Sequence, residues 1–193
     1  MGRRALKRAI FIHGWGGFPE EGWRPWLKDK LEQAGWQVIN PTMPDTDEPT
    51  QDKWLAKLAE VVGEPDDETY LIGHSLGGIT ILRYLESLSQ GETIGGTVLV
   101  AGFADDLTYD GYKGELSSFF TSPVNWEAVN AHCPQFFLLH SKDDSWVDES
   151  NYHELREQLH ANGELQNGFK HYSGDDGITE LPVVLTELES MAK

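Results

Sequence analysis

The sequence predicts an α/β protein built in three layers, with about six parallel strands covered by helices on both faces. Three observations carry this expectation. Short apolar runs alternate with amphipathic stretches along nearly the whole chain. A glycine-rich turn, Gly73-His74-Ser75-Leu76-Gly77, joins one such run to one such stretch. And 193 residues match one compact domain with a shared core.

Taken in order, Arg8 to His13 reads as a buried strand running into the loop Gly14–Pro19. Trp26, Leu27, Leu31 and Ala34 have helical spacing, and Gly35 stops that helix. Trp36 to Asn40 is a second strand, ended by Pro41 and the rigid loop Pro41–Pro49. Trp54, Leu55, Leu58, Val61 and Val62 form one helical face. Residues 69–73 form a strand and Leu76 to Leu88 a helix, followed by a strand over Thr97 to Ala101. Residues 102–125 lack periodicity and exceed an ordinary connection, so they are either disordered or a functional flap. A strand at residues 135–140, a helix from Tyr152 to His160, a sixth strand at 168–172 and a helix from Leu181 to Met191 close the chain.

Composition excludes several classes. The 32 acidic against 15 basic side chains give a net charge of −17, which speaks against binding nucleic acid or an anionic membrane. One cysteine, Cys133, allows no internal disulfide and no cysteine-based metal cluster. Met1 to Ile10 carries four Lys or Arg residues, but no apolar signal core follows, and no run approaches the ~18 apolar residues of a membrane span. The expectation is a soluble, cytoplasmic protein of one domain, residues 1–193.

The chemistry concentrates in Gly73-His74-Ser75-Leu76-Gly77, which lies between a predicted strand and a predicted helix, as a G-x-S-x-G nucleophile elbow requires. Such a turn forces Ser75 into unfavourable backbone angles and leaves no room for side chains at its flanks. It lifts the hydroxyl to a helix N-terminus, where free N–H groups favour an oxyanion. The competing reading is a glycine-rich turn with an incidental serine.

A serine needs a base. Of seven histidines, His13 shapes the first loop, His74 lies inside the elbow, His153 and His160 face solvent, His132 sits in a connection, and His140 precedes the candidate acid. His171 follows the last strand, in the order Ser…Asp…His. The acid comes from Ser141-Lys142-Asp143-Asp144-Ser145-Trp146-Val147. Asp144 is preferred, because Val147 can anchor the loop while the carboxylate faces the site; Asp143 is the alternative. Asp175 and Asp176 fall after His171 and read as a turn. Oxyanion donors are expected from the Leu76 and Trp15 amides. A phosphate-binding loop is the competing reading of Gly14–Gly17, but no phosphate-loop motif occurs there. Trp15, Trp126 and Trp146 fall in loops at the carboxyl edge of the sheet, where they either line an acyl pocket or pack as core and rim.

With these residues in place, the chain resembles the α/β-hydrolases, and among them the small, capless serine hydrolases of the retinoblastoma-binding-protein type and their bacterial relatives. The resemblance rests on H-G-W-G-G at 13–17, P-T-M-P at 41–44, G-H-S-L-G-G at 73–78, S-K-D-D-S-W-V at 141–147 and K-H-Y at 170–172. It implies a triad of Ser75, Asp144 and His171 and a sheet lacking the two leading strands of larger relatives. The expected reaction is hydrolysis of a small carboxylic ester, or a related acyl substrate, through an acyl-enzyme, with no cofactor and no metal. A non-catalytic interaction module on the same fold, and hydrolysis of thioester, amide or C–C bonds, are the alternatives.

Overall fold

In this computed structural model residues 6–109 and 111–193 are described; the first half of the basic stretch Met1–Ile10 lies outside them. The apolar runs become strands because their side chains alternate between two buried faces. Ile10 and Ile12 enter one hydrophobic cluster, while Ala9 and Phe11 enter the other. Among the described residues six strands result: β1 (Arg8–Ile12), β2 (Gln37–Ile39), β3 (Thr69–His74), β4 (Gly96–Val100), β5 (Phe136–Ser141) and β6 (Asn162–Gln166). They pair in parallel in the order β2-β1-β3-β4-β5-β6.

Helices cover both faces. On one, α1 (Arg24–Gln33) and α6 (Pro182–Met191) bury Leu27, Leu31, Val184 and Leu188. On the other lie α2 (Gln51–Val62), α3 (Leu76–Ser87), α4 (Trp126–His132) and α5 (Ser150–Gln158), which contribute Trp54, Leu58, Ile79, Leu82, Val129 and Leu155. The fold is that of an α/β-hydrolase. Among the described residues, no helix is long and apolar enough to cross a membrane.

Strand order reverses at β1. The first crossover carries the chain to β2 on one side, and the second brings β3 to the other. The loops after β1 and β3 therefore diverge toward opposite faces and leave a crevice between them, the place where open α/β sheets bind ligands.

Two expectations are corrected and a third is narrowed. The sixth strand lies at Asn162–Gln166, not at 168–172. Phe169 and Tyr172 instead stack on one another at 5.3 Å, and Lys170 and Tyr172 take left-handed φ values of 48° and 56°, which no strand allows. Trp126–His132, read as part of the connecting chain, forms α4, started by the Asn125 side chain, which accepts from the Ala128 amide at 3.1 Å. Of the two readings of 102–125, disorder is excluded for the described part, which is packed. Phe103, Leu116 and Phe119 are buried, a 3₁₀ turn spans Ser117–Phe120, and buried Arg83 donates from Nε to the Phe119 carbonyl at 3.0 Å and from its other nitrogens to the Ser122 and Pro123 carbonyls.

Cys133 sits at the opposite end of the sheet from the crevice, before β5. Its thiol donates to the Gln135 carbonyl at 3.2 Å and meets Thr97 Oγ1 at 3.4 Å, and burial pushes it up to about 12.

Candidate active site

The elbow forms where β3 turns into α3. Ser75 has φ 54° and ψ −120°, a conformation costly for a residue with a side chain. A Cβ on Gly73 would lie 2.8 Å from Gly77 backbone atoms, and one on Gly77 would lie 2.2 Å from the Ile12 carbonyl oxygen, so neither position tolerates a side chain. The strain is held by the Ser75 amide, which donates to the Val100 carbonyl at 2.9 Å, and by the Gly78 amide, which donates back to the Ser75 carbonyl at 2.8 Å.

The loop after β1 comes close to this turn. A Cβ on Gly14 would lie 3.1 Å from Ser75 Cβ. Buried His13 fixes the loop from below: Nδ1–H donates to the Gly14 carbonyl at 2.9 Å, and Nε2 accepts from the Met43 amide at 3.0 Å. Burial lowers its pKa. Among the described residues, neither the Trp15 nor the Leu76 amide donates a backbone hydrogen bond, which leaves both for a ligand.

The loop after β5 presents two aspartates that behave differently. The Asp144 side chain is fully buried; its Oδ1 accepts from the Trp146 amide at 2.8 Å and the Val147 amide at 3.1 Å. Its Oδ2 lies 2.8 Å from His171 Nδ1. A carboxylate oxygen accepts, so Nδ1 carries the proton and Nε2 presents its lone pair. Asp143 turns away. Its Oδ1 takes the Ser141 hydroxyl, the Gly168 amide at 2.8 Å and the Lys170 amide at 3.3 Å. Those bonds, the Ser141 hydroxyl first, hold its carboxyl below the usual range.

His171 follows β6 in a loop with left-handed residues on both sides. Although partial burial opposes it, Asp176 stays below the usual carboxylate range. Ser173, the His171 amide at 3.1 Å and the Lys170 ammonium at 3.7 Å stabilise its charge. His140 donates from Nε2 to the Val147 carbonyl at 3.0 Å and is lowered by burial. His132 bonds the Glu92 carbonyl from α4. His153 and His160 are exposed.

Ser75 and His171 line one cleft of about 460 Å³, together with Trp15, Tyr109, Leu116 and Trp146. Among the described residues, no hydrogen bond joins Ser75 Oγ to His171 within 3.5 Å; such contacts often tighten only when substrate is bound. Trp126 does not line the cleft: it begins α4 and packs against the core under α3. Sequence reading missed Phe18, Leu107 and Leu116, which no periodicity marks. Glu21 and Asp175 are the charged carboxylates of the lining, and among the described residues it contains no Lys or Arg. Glu21 is ion-paired at 2.8 Å with buried Arg24. Among the described residues, no three His, Cys, Asp or Glu side chains gather into a metal site.

A six-stranded parallel sheet with a serine elbow at its switch point defines an α/β-hydrolase-type protein. Residues 9–190 match the family described as Serine hydrolase, and the chain belongs to it. It is 34% identical to YdeN of Bacillus subtilis (strain 168) over 185 residues, covering 95% of each chain. The crystal structure of that gene product superposes with a TM-score of 0.90 at 31% identity, covering 96% of this chain and 98% of the other. Serine hydrolase RBBP9 of Rattus norvegicus is 30% identical over 157 residues, 80% of this chain and 81% of its own. Est1E from Butyrivibrio proteoclasticus shares the fold at a TM-score of 0.72 and 18% identity, with 97% of this chain and 87% of the other covered.

Proposed function

We propose that the chain is a carboxylesterase acting on small esters with a neutral acyl group, through Ser75, His171 and Asp144. The observation that carries this reading is the 2.8 Å bond to the buried Asp144 carboxylate from Nδ1 of His171, which lines the same cleft as the strained Ser75. His171 Nε2 takes the Ser75 proton as Oγ attacks the ester carbonyl. The tetrahedral oxyanion is received by the Leu76 and Trp15 amides. Collapse expels the alcohol, which takes the proton back from His171. Water, deprotonated by the same imidazole, then releases the acid. Asp144 holds the imidazole in its working tautomer and stabilises it when charged.

The cleft supports the substrate class. Its volume falls in the range of small-molecule sites, about 300–1,000 Å³. Aromatic and aliphatic walls suit an apolar acyl group. Lining carboxylates, with no Lys or Arg beside them among the described residues, disfavour an anionic one. The reading includes a cytoplasmic protein of one domain whose partner is the small acyl substrate, with no nucleic acid, membrane or metal involved.

The test pairs a fluorophosphonate probe with p-nitrophenyl acetate, butyrate and octanoate and a p-nitrophenyl ester of a dicarboxylic acid. Wild type should be labelled and should turn over the shorter neutral esters best, and Ser75→Ala should lose both activities. A wild-type protein that is neither labelled nor active refutes the reading. Turnover of thioester or anilide substrates above all esters would move the bond class.

A further inference from the structure

Two ring N–H donors from outside the His171 loop take two consecutive carbonyls within it. His74, the residue before the nucleophile, donates from Nε2 to the His171 carbonyl at 2.8 Å. Trp23, just before α1, donates from Nε1 to the Tyr172 carbonyl at 3.1 Å. Both donors are buried, His74 being 4% and Trp23 1% exposed. Their rings meet edge to face at 6.2 Å and 85°.

The loop they hold needs holding. Lys170 and Tyr172 flank His171 with φ values of 48° and 56°, a backbone that residues with side chains keep only when the surroundings impose it. The identity of His74 is also costly. Its Nδ1 is buried with no hydrogen-bond partner. A ring nitrogen stripped of water and left unpaired is unfavourable, and an apolar side chain would avoid that. What an apolar side chain cannot supply is the Nε2–H.

We infer that His74 is a positioning residue: its bond to the His171 carbonyl ties the strand end that carries Ser75 to the loop that carries His171. The link sets the base relative to the nucleophile, with Trp23 as a second tie one peptide further on. His74 touches no substrate in this scheme. The inference deepens the proposed function and rests on the Ser75–His171–Asp144 reading.

The test compares His74→Gln, whose side-chain amide can donate near the imidazole Nε2 position, with His74→Leu, which cannot donate, and Trp23→Phe. Each is read by steady-state kinetics on p-nitrophenyl acetate, by melting temperature, and by ¹⁵N-histidine NMR titration of His171 without substrate. His74→Leu should lower kcat about 10- to 100-fold with KM within about 2-fold, the size of effect expected from misplacing a reacting group. It should also shift the His171 titration curve. His74→Gln should restore kcat to within about 3-fold and bring the curve back. Trp23→Phe should lower kcat by less, again at constant KM. Equal loss in the Gln and Leu variants, or a Leu variant with wild-type kcat and an unmoved His171 curve, overturns the inference. If His74→Leu does not fold, Trp23→Phe and His74→Gln decide: a lowered kcat in the first with near-normal kcat in the second supports the tie, and any other pairing overturns it. A wild type that neither turns over ester nor takes the probe fails the proposed function alone, because the NMR comparison still judges the tie.

Discussion

Asp143 and Asp144 are neighbours of identical chemistry with opposite surroundings. Asp144 gives one oxygen to two amides and the other to His171. Asp143 ties Ser141 to the Gly168 and Lys170 amides and never faces the cleft. Their asparagine variants should separate accordingly. Asp144→Asn should lower kcat by as much as ~10⁴, because an amide leaves the imidazole in the wrong tautomer. Asp143→Asn should keep kcat within about 3-fold and lower stability only slightly, because an amide oxygen still accepts these bonds, more weakly. Urea titration alongside ester kinetics distinguishes the two. Equal kcat losses would contradict this division. The distinction was partly legible in advance, since the spacing from Asp144 to Val147 lets Val147 anchor the loop while the Asp144 carboxylate faces the site. The companions of His171 were not. Asp176, His74 and Trp23 act on its backbone, and no side-chain pattern in a sequence records which distant carbonyl a buried ring will meet.

At the level of elements, the misplaced sixth strand and the overlooked α4 have different causes. β6 is an edge strand with the sequence Asn162-Gly163-Glu164-Leu165-Gln166, too polar to show alternation. Gly163 is required because a Cβ there would come 2.6 Å from the Leu138 carbonyl oxygen. The aromatic run beyond it has higher strand propensity, but it is spent on packing the His171 loop. Helix α4 has seven residues, too few for an apolar stripe to repeat, and its visible signal is the Asn125 cap. Arg83, which is 6% exposed, holds the carboxyl end of the 102–125 segment through the Phe119, Ser122 and Pro123 carbonyls. Arg83→Met keeps the aliphatic stem and strips the donors from three carbonyls. It should cost about 1–3 kcal/mol and raise KM several-fold with a smaller change in kcat, since Leu107, Tyr109 and Leu116 form a cleft wall and do not touch the reacting atoms. A variant with unchanged KM would show that the wall is held by other contacts.

Across the whole molecule, three buried histidines set the acid limit. Burial lowers the pKa of His13, His74 and His140 below the ordinary imidazole value of about 6.5. In the unfolded chain each takes a proton as pH falls through 6.5, and in the fold it does not. The stability they contribute is therefore complete above 6.5 and is lost as pH falls below it toward their lowered values. Each can contribute up to about 1.4 kcal/mol per pH unit. Unfolding free energy from urea titrations should fall between about pH 7.5 and 5.5. The measurement belongs in about 0.3 M salt, where mutual repulsion of the −17 charge is screened and its relief by acid does not mask the slope. A flat or inverted slope would mean that these histidines accept protons in the fold.

The layered α/β architecture was legible from short apolar runs alternating with amphipathic stretches, because a parallel sheet covered on both faces needs strands such as β1 that are apolar on both, with Ile10 and Ile12 in one cluster and Ala9 and Phe11 in the other. The crevice was less legible, since it arises from strand order, which depends on where β2 pairs and not on what it contains.

Cys133 gives this architecture a timekeeper. The thiol lies at the foot of the sheet, 2% exposed, with its ionisation pushed up to about 12, while the cleft opens at the head. A thiol reagent added to the native protein should therefore leave Ser75 chemistry untouched and react only when the foot opens. Its labelling rate would count openings one covalent event at a time, while ester turnover at the other end reports whether the head stayed closed.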